Sequence, residues 1–368
     1  MREEKISLGQ GICLLMLYVY GSSIVFGLGA KAGKDAWISV LIALSAALVM
    51  VTVYAKILTL FPDKNIFEIF ELVLGNFLGK LLSSFYIFFL FYLGSLVLRD
   101  FAQFLITVNF LETPLIFPIF LMVFACIWGV KAGVEVLGRT SQLITLVIIF
   151  ITLLAIFMPT EEMKLEKIMP MLSNGWQPVL QGAFGAFAFP FGETVALISI
   201  FDTLNDSKKI FKVYWYGLLI AGLLMVSVVI AQLTFLGEME YMVTYFPSYK
   251  TLSMISYGII ERFEVVTASL FFSAIFCKVG LCMLGVCRGI TQVFKLHNYR
   301  VLVTPVAFLM GILGLIVYES IMELFEDLEF WKYLALPFEV IIPIIFLVIA
   351  LFRSKQLQQL EREKTNAL

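Results

Sequence analysis

Gly182-Ala183-Phe184-Gly185-Ala186-Phe187-Ala188-Phe189-Pro190-Phe191-Gly192-Glu193 lies inside an apolar run long enough to cross a bilayer, yet it cannot form an unbroken helix. Pro190 lacks a backbone donor and its ring clashes with the preceding turn, at a cost of ~3 kcal/mol in a helix interior. Gly182, Gly185 and Gly192 loosen the same stretch. Glu193 then places a carboxylate near the middle of the span, which costs ~2.5–3.5 kcal/mol on insertion scales. Lipid offers no water to free backbone groups, so an interrupted span is tolerated only where it lines a protected cavity. A second run, residues 12–30, carries Gly21-Ser22-Ser23 in its interior. Two interrupted spans at matching positions in the two halves of a chain point to a site for a small polar molecule at the membrane midplane.

Composition sets the class. The chain has 368 residues, 61% apolar and 14% charged, with 36 Phe and a mean hydropathy of +0.98. Soluble domains are nearer 45–50% apolar and about 25% charged, so this sequence reads as an integral membrane protein whose first partner is the lipid bilayer. A net charge of −1 speaks against nucleic acid. Cys13, Cys126, Cys277, Cys282 and Cys287 all sit in apolar runs without a CxxC pair, and His297 has no ligand neighbours in sequence, so no metal or other cofactor is implied. No Walker motif, GxSxG or HExxH occurs, and the chain reads as a non-enzyme. The first span is too long for a cleavable signal peptide and lacks a small-residue cleavage pattern.

Stretches of about 20 apolar residues cross a hydrocarbon core of roughly 30 Å. Ten such spans are expected, at 12–30, 37–60, 81–101, 115–130, 143–157, 179–200, 213–236, 265–286, 301–318 and 334–352, the third and eighth running on beyond the bilayer. With the N-terminus inside, 17 Lys and Arg fall on inner segments and 8 on outer ones, with Lys278 inside a span, so both termini are expected in the cytoplasm. The acidic cluster Glu319, Glu323, Glu326, Asp327 and Glu329 then falls outside. Residues 67–77 read as a short interfacial helix, with 249–262 as an outer counterpart. Residues 1–352 form one domain of two five-span halves, about 6–157 and 175–352, followed by a polar tail at 353–368. Because five is odd, the second half inserts upside down relative to the first.

Where the first span opens at Gly21-Ser22-Ser23, free N–H groups at a helix start and two hydroxyls suit a carboxylate, whereas small residues also serve simple close packing of helices. Carbonyls around Ala188 and Phe189 suit an ammonium, and Leu98, Phe187 and Phe191 would set side-chain preference. Lys278 is the natural counterpart of Glu193: it can pair with it, cap the carbonyls that end the inner half of the first span in place of a metal cation, or stay a purely structural lysine. Arg99 and Asp100 read as the solvated outer end of the third span.

Four patterns in order resemble one family. Gly21-Ser22-Ser23-Ile24-Val25-Phe26, Leu111-Glu112-Thr113-Pro114, Phe191-Gly192-Glu193 and Ile260-Glu261-Arg262-Phe263-Glu264 are similar to the permease-like B subunits of bacterial spore germination receptors. These belong to the amino acid, polyamine and organocation superfamily. Family members often continue the first pattern into Leu-Pro, where this chain has Gly27-Leu28-Gly29. The resemblance implies an all-α membrane protein of ten transmembrane helices in a LeuT-like 5+5 inverted repeat, with helices 1 and 6 broken. It implies a subunit of the spore inner membrane that binds a small germinant, commonly an amino acid, and works with A-type and C-type subunits. A proton-coupled amino acid transporter and an assembly scaffold with a vestigial pocket remain as alternatives.

Overall fold

The computed structural model describes residues 4–23, 26–108, 110–157, 163–254 and 263–366. Ile24, Val25 and residues 260–262 of the family patterns lie outside the described residues. The described chain is helical: α1 (Leu8–Ser23), α2 (Ala36–Leu60), α3 (Ile66–Leu74), α4 (Asn76–Val108), α5 (Ile116–Ala132), α6 (Val134–Phe157), α7 (Trp176–Ala186), α8 (Ile210–Leu236), α9 (Glu238–Val243), α10 (Pro247–Met254), α11 (Phe263–Val293), α12 (Arg300–Ile316), α13 (Ile321–Leu336) and α14 (Ile342–Asn366). Among the described residues, 7 helical segments are long and apolar enough to cross a membrane, and Leu8–Gly21, Ile116–Ala132 and Arg300–Ile316 are shorter apolar helices.

Helix α11 is the hub. It packs against α4, α1 and α5, and 83% of its apolar window is buried, against 22% for the window of α6 at the periphery. The outer helices turn Phe124, Leu143 and Phe150 outward. Such a surface is stable only against lipid, where apolar side chains lose nothing by exposure. A short backbone pairing holds the N-terminus in place: Ile6 N donates to Thr203 O at 2.9 Å and Asn205 N to Ile6 O at 3.0 Å.

The amphipathic stretch after α2 folds as expected. Asn65 caps α3 by accepting from Glu68 N at 2.9 Å, while its Nδ2 donates to Glu68 Oε1 at 2.7 Å. That reciprocal cap fixes the start of a helix whose Phe67, Ile69 and Phe70 are buried.

Four elements refine the expected spans. The first helix ends at Ser23 instead of running to residue 30; Gly29, with φ 68°, and Gly33, with φ 58°, turn the chain through the short 3-10 segment Ala30–Asp35 into α2. The sixth run is α7, then a wide turn at Phe187–Phe191, then a 3-10 segment Gly192–Ser199. The acidic cluster around Glu323 lies on α13, capped by Ser320, which accepts from Glu323 N at 3.3 Å, and this helix continues into the last span through Pro337–Ile341. Residues 353–366 of the polar tail are helical and continue α14.

Candidate functional site

The chemistry gathers where the backbone leaves helical geometry. Phe189 adopts φ −142° and ψ 109° between α7 and the segment Gly192–Ser199. Glu193 opens that segment, and Lys278 Nζ reaches it from the middle of α11 to form an ion pair. Both side chains are buried, at 1% and 0% exposure, so the pair is sealed from water. The ammonium also stands 5.1 Å from the Tyr18 ring centroid and 5.4 Å from that of Phe189. Two aromatic faces therefore take up part of the charge that water would otherwise solvate.

Gly21 explains how α1 comes this close. A Cβ there would lie 3.0 Å from Ala274 O and 3.3 Å from Lys278 Cβ, so α1 and α11 meet backbone to backbone at the level of the ion pair. One turn back, Tyr18 Oη and Cys282 Sγ are 3.5 Å apart across the same contact. Ser23 Oγ donates to Val19 O at 2.6 Å and faces Met225, which ties the hydroxyl to its own helix. Ser22 belongs to α1, and its side chain lies outside the described residues.

The second interrupted segment is brought to the same place. Ala188 O accepts from Trp331 Nε1 at 3.3 Å, Phe189 meets Phe26 edge-on at 5.6 Å, and Phe187 and Phe191 are buried. Gly192 is pressed against the carboxylate of Glu339, which occupies the space a Cβ would need. Leu98 is buried, with its Cβ beside Gly314 of α12.

Arg99 and Asp100 correct the sequence reading. They are not a solvated helix end: each is 3% exposed, because α12 and α13 close over this part of α4. Arg99 Nη1 donates to Leu315 O at 3.1 Å, Nη2 to Gln103 Oε1 at 3.4 Å, and the guanidinium lies 5.9 Å from the Tyr318 ring centroid. Asp100 Oδ1 has no hydrogen-bond partner. The sequence reading also passed over Glu339, which is fully buried with neither carboxylate oxygen hydrogen-bonded. Its signal was present: an acidic residue two places after Pro337 inside the last apolar run.

Two larger spaces border elements of this site. On the face that carries Lys31, a space of about 190 Å³ lies between the Gly27–Lys31 turn, α7 and α13, with Phe189 and Leu328 at its floor. Lys31 and Lys332 both pair with Glu329 at that mouth. Beyond the floor only about 10 Å³ remains beside Glu193 and Asp100. That is room for about one water molecule. On the face that carries Glu4, a space of about 490 Å³ reaches Thr203 and Arg288. Arg288 binds Asp202, with Nη1 at 2.9 Å from Oδ1, and also donates to Ser199 O at 2.8 Å, so it bolts the Gly192–Ser199 segment to α11. Glu4 accepts from Val134 N at 3.0 Å and from Tyr299 Oη at 3.2 Å and pairs with Arg300. Burial, with Glu4 beside it, pushes the Tyr299 hydroxyl up to about 12, so it remains a donor at neutral pH.

Comparison with known proteins agrees with this architecture. Spore germination protein KB of Bacillus subtilis (strain 168) is 28% identical over 370 residues, covering 99% of this chain and 99% of the relative. Spore germination protein GerQB of Bacillus cereus is 23% identical, covering 75% of this chain and 76% of that one. Among solved structures, MhsT in complex with L-phenylalanine has a TM-score of 0.64 at 14% identity, covering 96% of this chain and 100% of that one. Mhp1, a nucleobase-cation-symport-1 family transporter, has a TM-score of 0.64 at 12% identity, covering 94% and 78%. At such identities the likeness is one of fold alone. The profile of the spore permease family, described as spore germination protein, matches residues 5–323, and this chain belongs to that family.

Proposed function

We propose that this chain is the permease-like subunit of a spore germinant receptor, and that it binds a small nutrient, an amino acid in the first instance, between α1, α4, the Phe187–Glu193 turn and α11. The observation that carries this reading is the Glu193–Lys278 pair. It is buried at a non-helical turn, beside a small space that shares Phe189 and Leu328 with the vestibule on the Lys31 face. The pair takes the place where a broken-helix carrier would need a metal cation, so the resting state is held by the chain's own charges. The seven long spans and three shorter apolar helices together make ten crossings in a LeuT-like 5+5 arrangement. Helix α1, at 16 residues, spans about 24 Å, short of the roughly 30 Å core, and the turn at Phe26–Gly29 beyond it lengthens the crossing. Both termini are cytoplasmic and the membrane is the spore inner membrane.

Ligand binding shifts the Phe187–Ser199 segment, and the change passes to A-type and C-type subunits. A ligand moves such an equilibrium only by the difference in its affinity for two states, so an occluded site with almost no free volume is well suited to sense it. The test is to purify the protein, screen amino acids, sugars and nucleosides for thermal stabilisation, and assay any hit for uptake in proteoliposomes. Binding without uptake supports the receptor. Concentrative uptake overturns it in favour of a proton-coupled transporter, and normal complex assembly with no binding leaves a scaffold.

A further inference from the structure

We infer that Asp100 anchors an ammonium-binding subsite, and that the ligands of this protein are therefore small amines, with or without a carboxylate. The inference rests on the reading that the chain binds a small nutrient, and it specifies which chemical group is recognised.

The subsite is the small space between α4, α13 and the Phe187–Phe191 turn, lined by Asp100, Phe189, Glu193, Tyr318, Asp327 and Trp331. Each of its other polar groups is already committed. Glu193 is paired with Lys278, and Asp327 accepts from Tyr318 Oη at 2.9 Å. Trp331 donates to Ala188 O at 3.3 Å. Asp100 alone among these lining side chains is buried to 3% exposure with an oxygen that meets no donor. Its neighbour Arg99 does not supply one, since the guanidinium turns to Leu315 O and Gln103.

Charge points the same way. Asp100, Glu193, Asp327 and Glu339 gather here against Lys278 and Arg99 as the facing cations, so the described centre carries more acidic than basic groups. An isolated carboxylate taken out of water is costly, and a ligand that brings a positive charge relieves that cost where an anion would add to it. Three aromatic side chains, Phe189, Tyr318 and Trp331, complete walls of the kind that hold ammonium groups through their ring faces.

Size and access agree with a head group that enters first. The space of about 10 Å³ takes one water-sized group, which is the size of an ammonium. Phe189 and Leu328 line both this space and the vestibule of about 190 Å³ on the Lys31 face, so the body of a ligand anchored on Asp100 extends past them. In an α-amino acid the carboxylate shares a carbon with the ammonium, so it would lie beside Phe189 and Leu328 at the entrance of the space, and Lys31 and Lys332 would stay paired with Glu329.

The experiment uses the full-length protein in detergent micelles and two matched sets of probes: L-leucine, isoamylamine and isocaproate, then L-alanine, ethylamine and propionate. Binding is read by titration calorimetry and thermal stabilisation. The amino acid and the amine of at least one set stabilise the wild-type protein and the acid does not. Asp100→Asn weakens the amine by on the order of 10-fold or more, the loss expected for one charge-assisted contact. The unliganded variant unfolds at the wild-type temperature or above it, because a buried carboxyl whose Oδ1 meets no donor has been replaced by a neutral amide. Asp327→Asn, which keeps a partner for Tyr318, gives a smaller loss of the same sign. Stabilisation by the acids equal to that by the amines overturns the subsite, as does unchanged amine binding in Asp100→Asn. If amines fail while a sugar or nucleoside binds, the subsite is wrong and the receptor reading stands; if no class binds, both fall.

Discussion

Replacing Lys278 with Met removes one charge of a sealed pair while keeping most of the side-chain volume, and the result can be worked out from burial. Glu193, at 1% exposure, would be left without its partner in a site with room for about one water. Breaking a buried pair from one side costs ~3–5 kcal/mol. The carboxyl can limit that cost by taking up a proton. With an ordinary glutamate value of about 4.3 and about 1.36 kcal/mol per pH unit, neutralisation at pH 7 costs about 4 kcal/mol. The variant should therefore be less stable than wild type by about 4 kcal/mol at pH 7. Its native state would hold one proton that its unfolded state releases above about pH 4.3, so the deficit should shrink by about 1.4 kcal/mol per unit of acidification and level off near that pH. The double variant Glu193→Leu with Lys278→Met removes both charges and should return to within about 1 kcal/mol of wild type. Unfolding free energies from SDS titration in mixed micelles, at several pH values, give all three quantities. A single variant as stable as wild type at pH 7, or a double variant no better than the single, would refute the view that this pair is buried and mutually compensating.

Three further outcomes follow from the same geometry. Gly21→Val should push α1 off α11, since even a Cβ lies 3.0 Å from Ala274 O, costing ~1–3 kcal/mol and abolishing ligand-induced thermal stabilisation at normal protein levels. Gly192→Ala should destabilise by a similar ~1–3 kcal/mol through collision with Glu339, and adding Glu339→Ala should recover most of the loss; no recovery would mean that the contact is not the cause. Arg288→Ala should release the Ser199 end of the 3-10 segment, raising maleimide labelling of Cys287, which is buried one residue away, as read by peptide mass spectrometry. Labelling that stays at the wild-type level would show that Arg288 does not hold that face shut.

How far the sequence was legible depends on how local the cause was. Pro190 and its flanking glycines forced a departure from helix by covalent geometry, and the chain does leave helical backbone at Phe189. The short helix after α2 was visible because its cap and its apolar face lie within nine residues. Glu193 and Lys278 stood out because charges in mid-span are expensive wherever the helix sits. Arg99 and Asp100 were misread because a charge near a span end is ordinarily solvated, and only the closing of α12 and α13 over α4 buries them. Glu339 stood without comment inside the tenth expected span, and only the fold carries it against Gly192, about 150 residues away in the chain.

The amino-acid sequence by itself therefore determined that this is a membrane protein of apolar helices, with an interrupted segment at Phe187–Glu193 and unlike charges in two distant spans. Those properties follow from hydrophobicity, proline geometry and the cost of ions in lipid, each of which acts within a few residues. That Glu193 and Lys278 meet, and that Gly21 lets α1 approach them, only the tertiary structure decided. The same holds for Asp100, which faces an almost empty space with an unpartnered oxygen. Contacts between residues 85 or more positions apart depend on how the helices cross, and no local rule of sequence encodes a crossing.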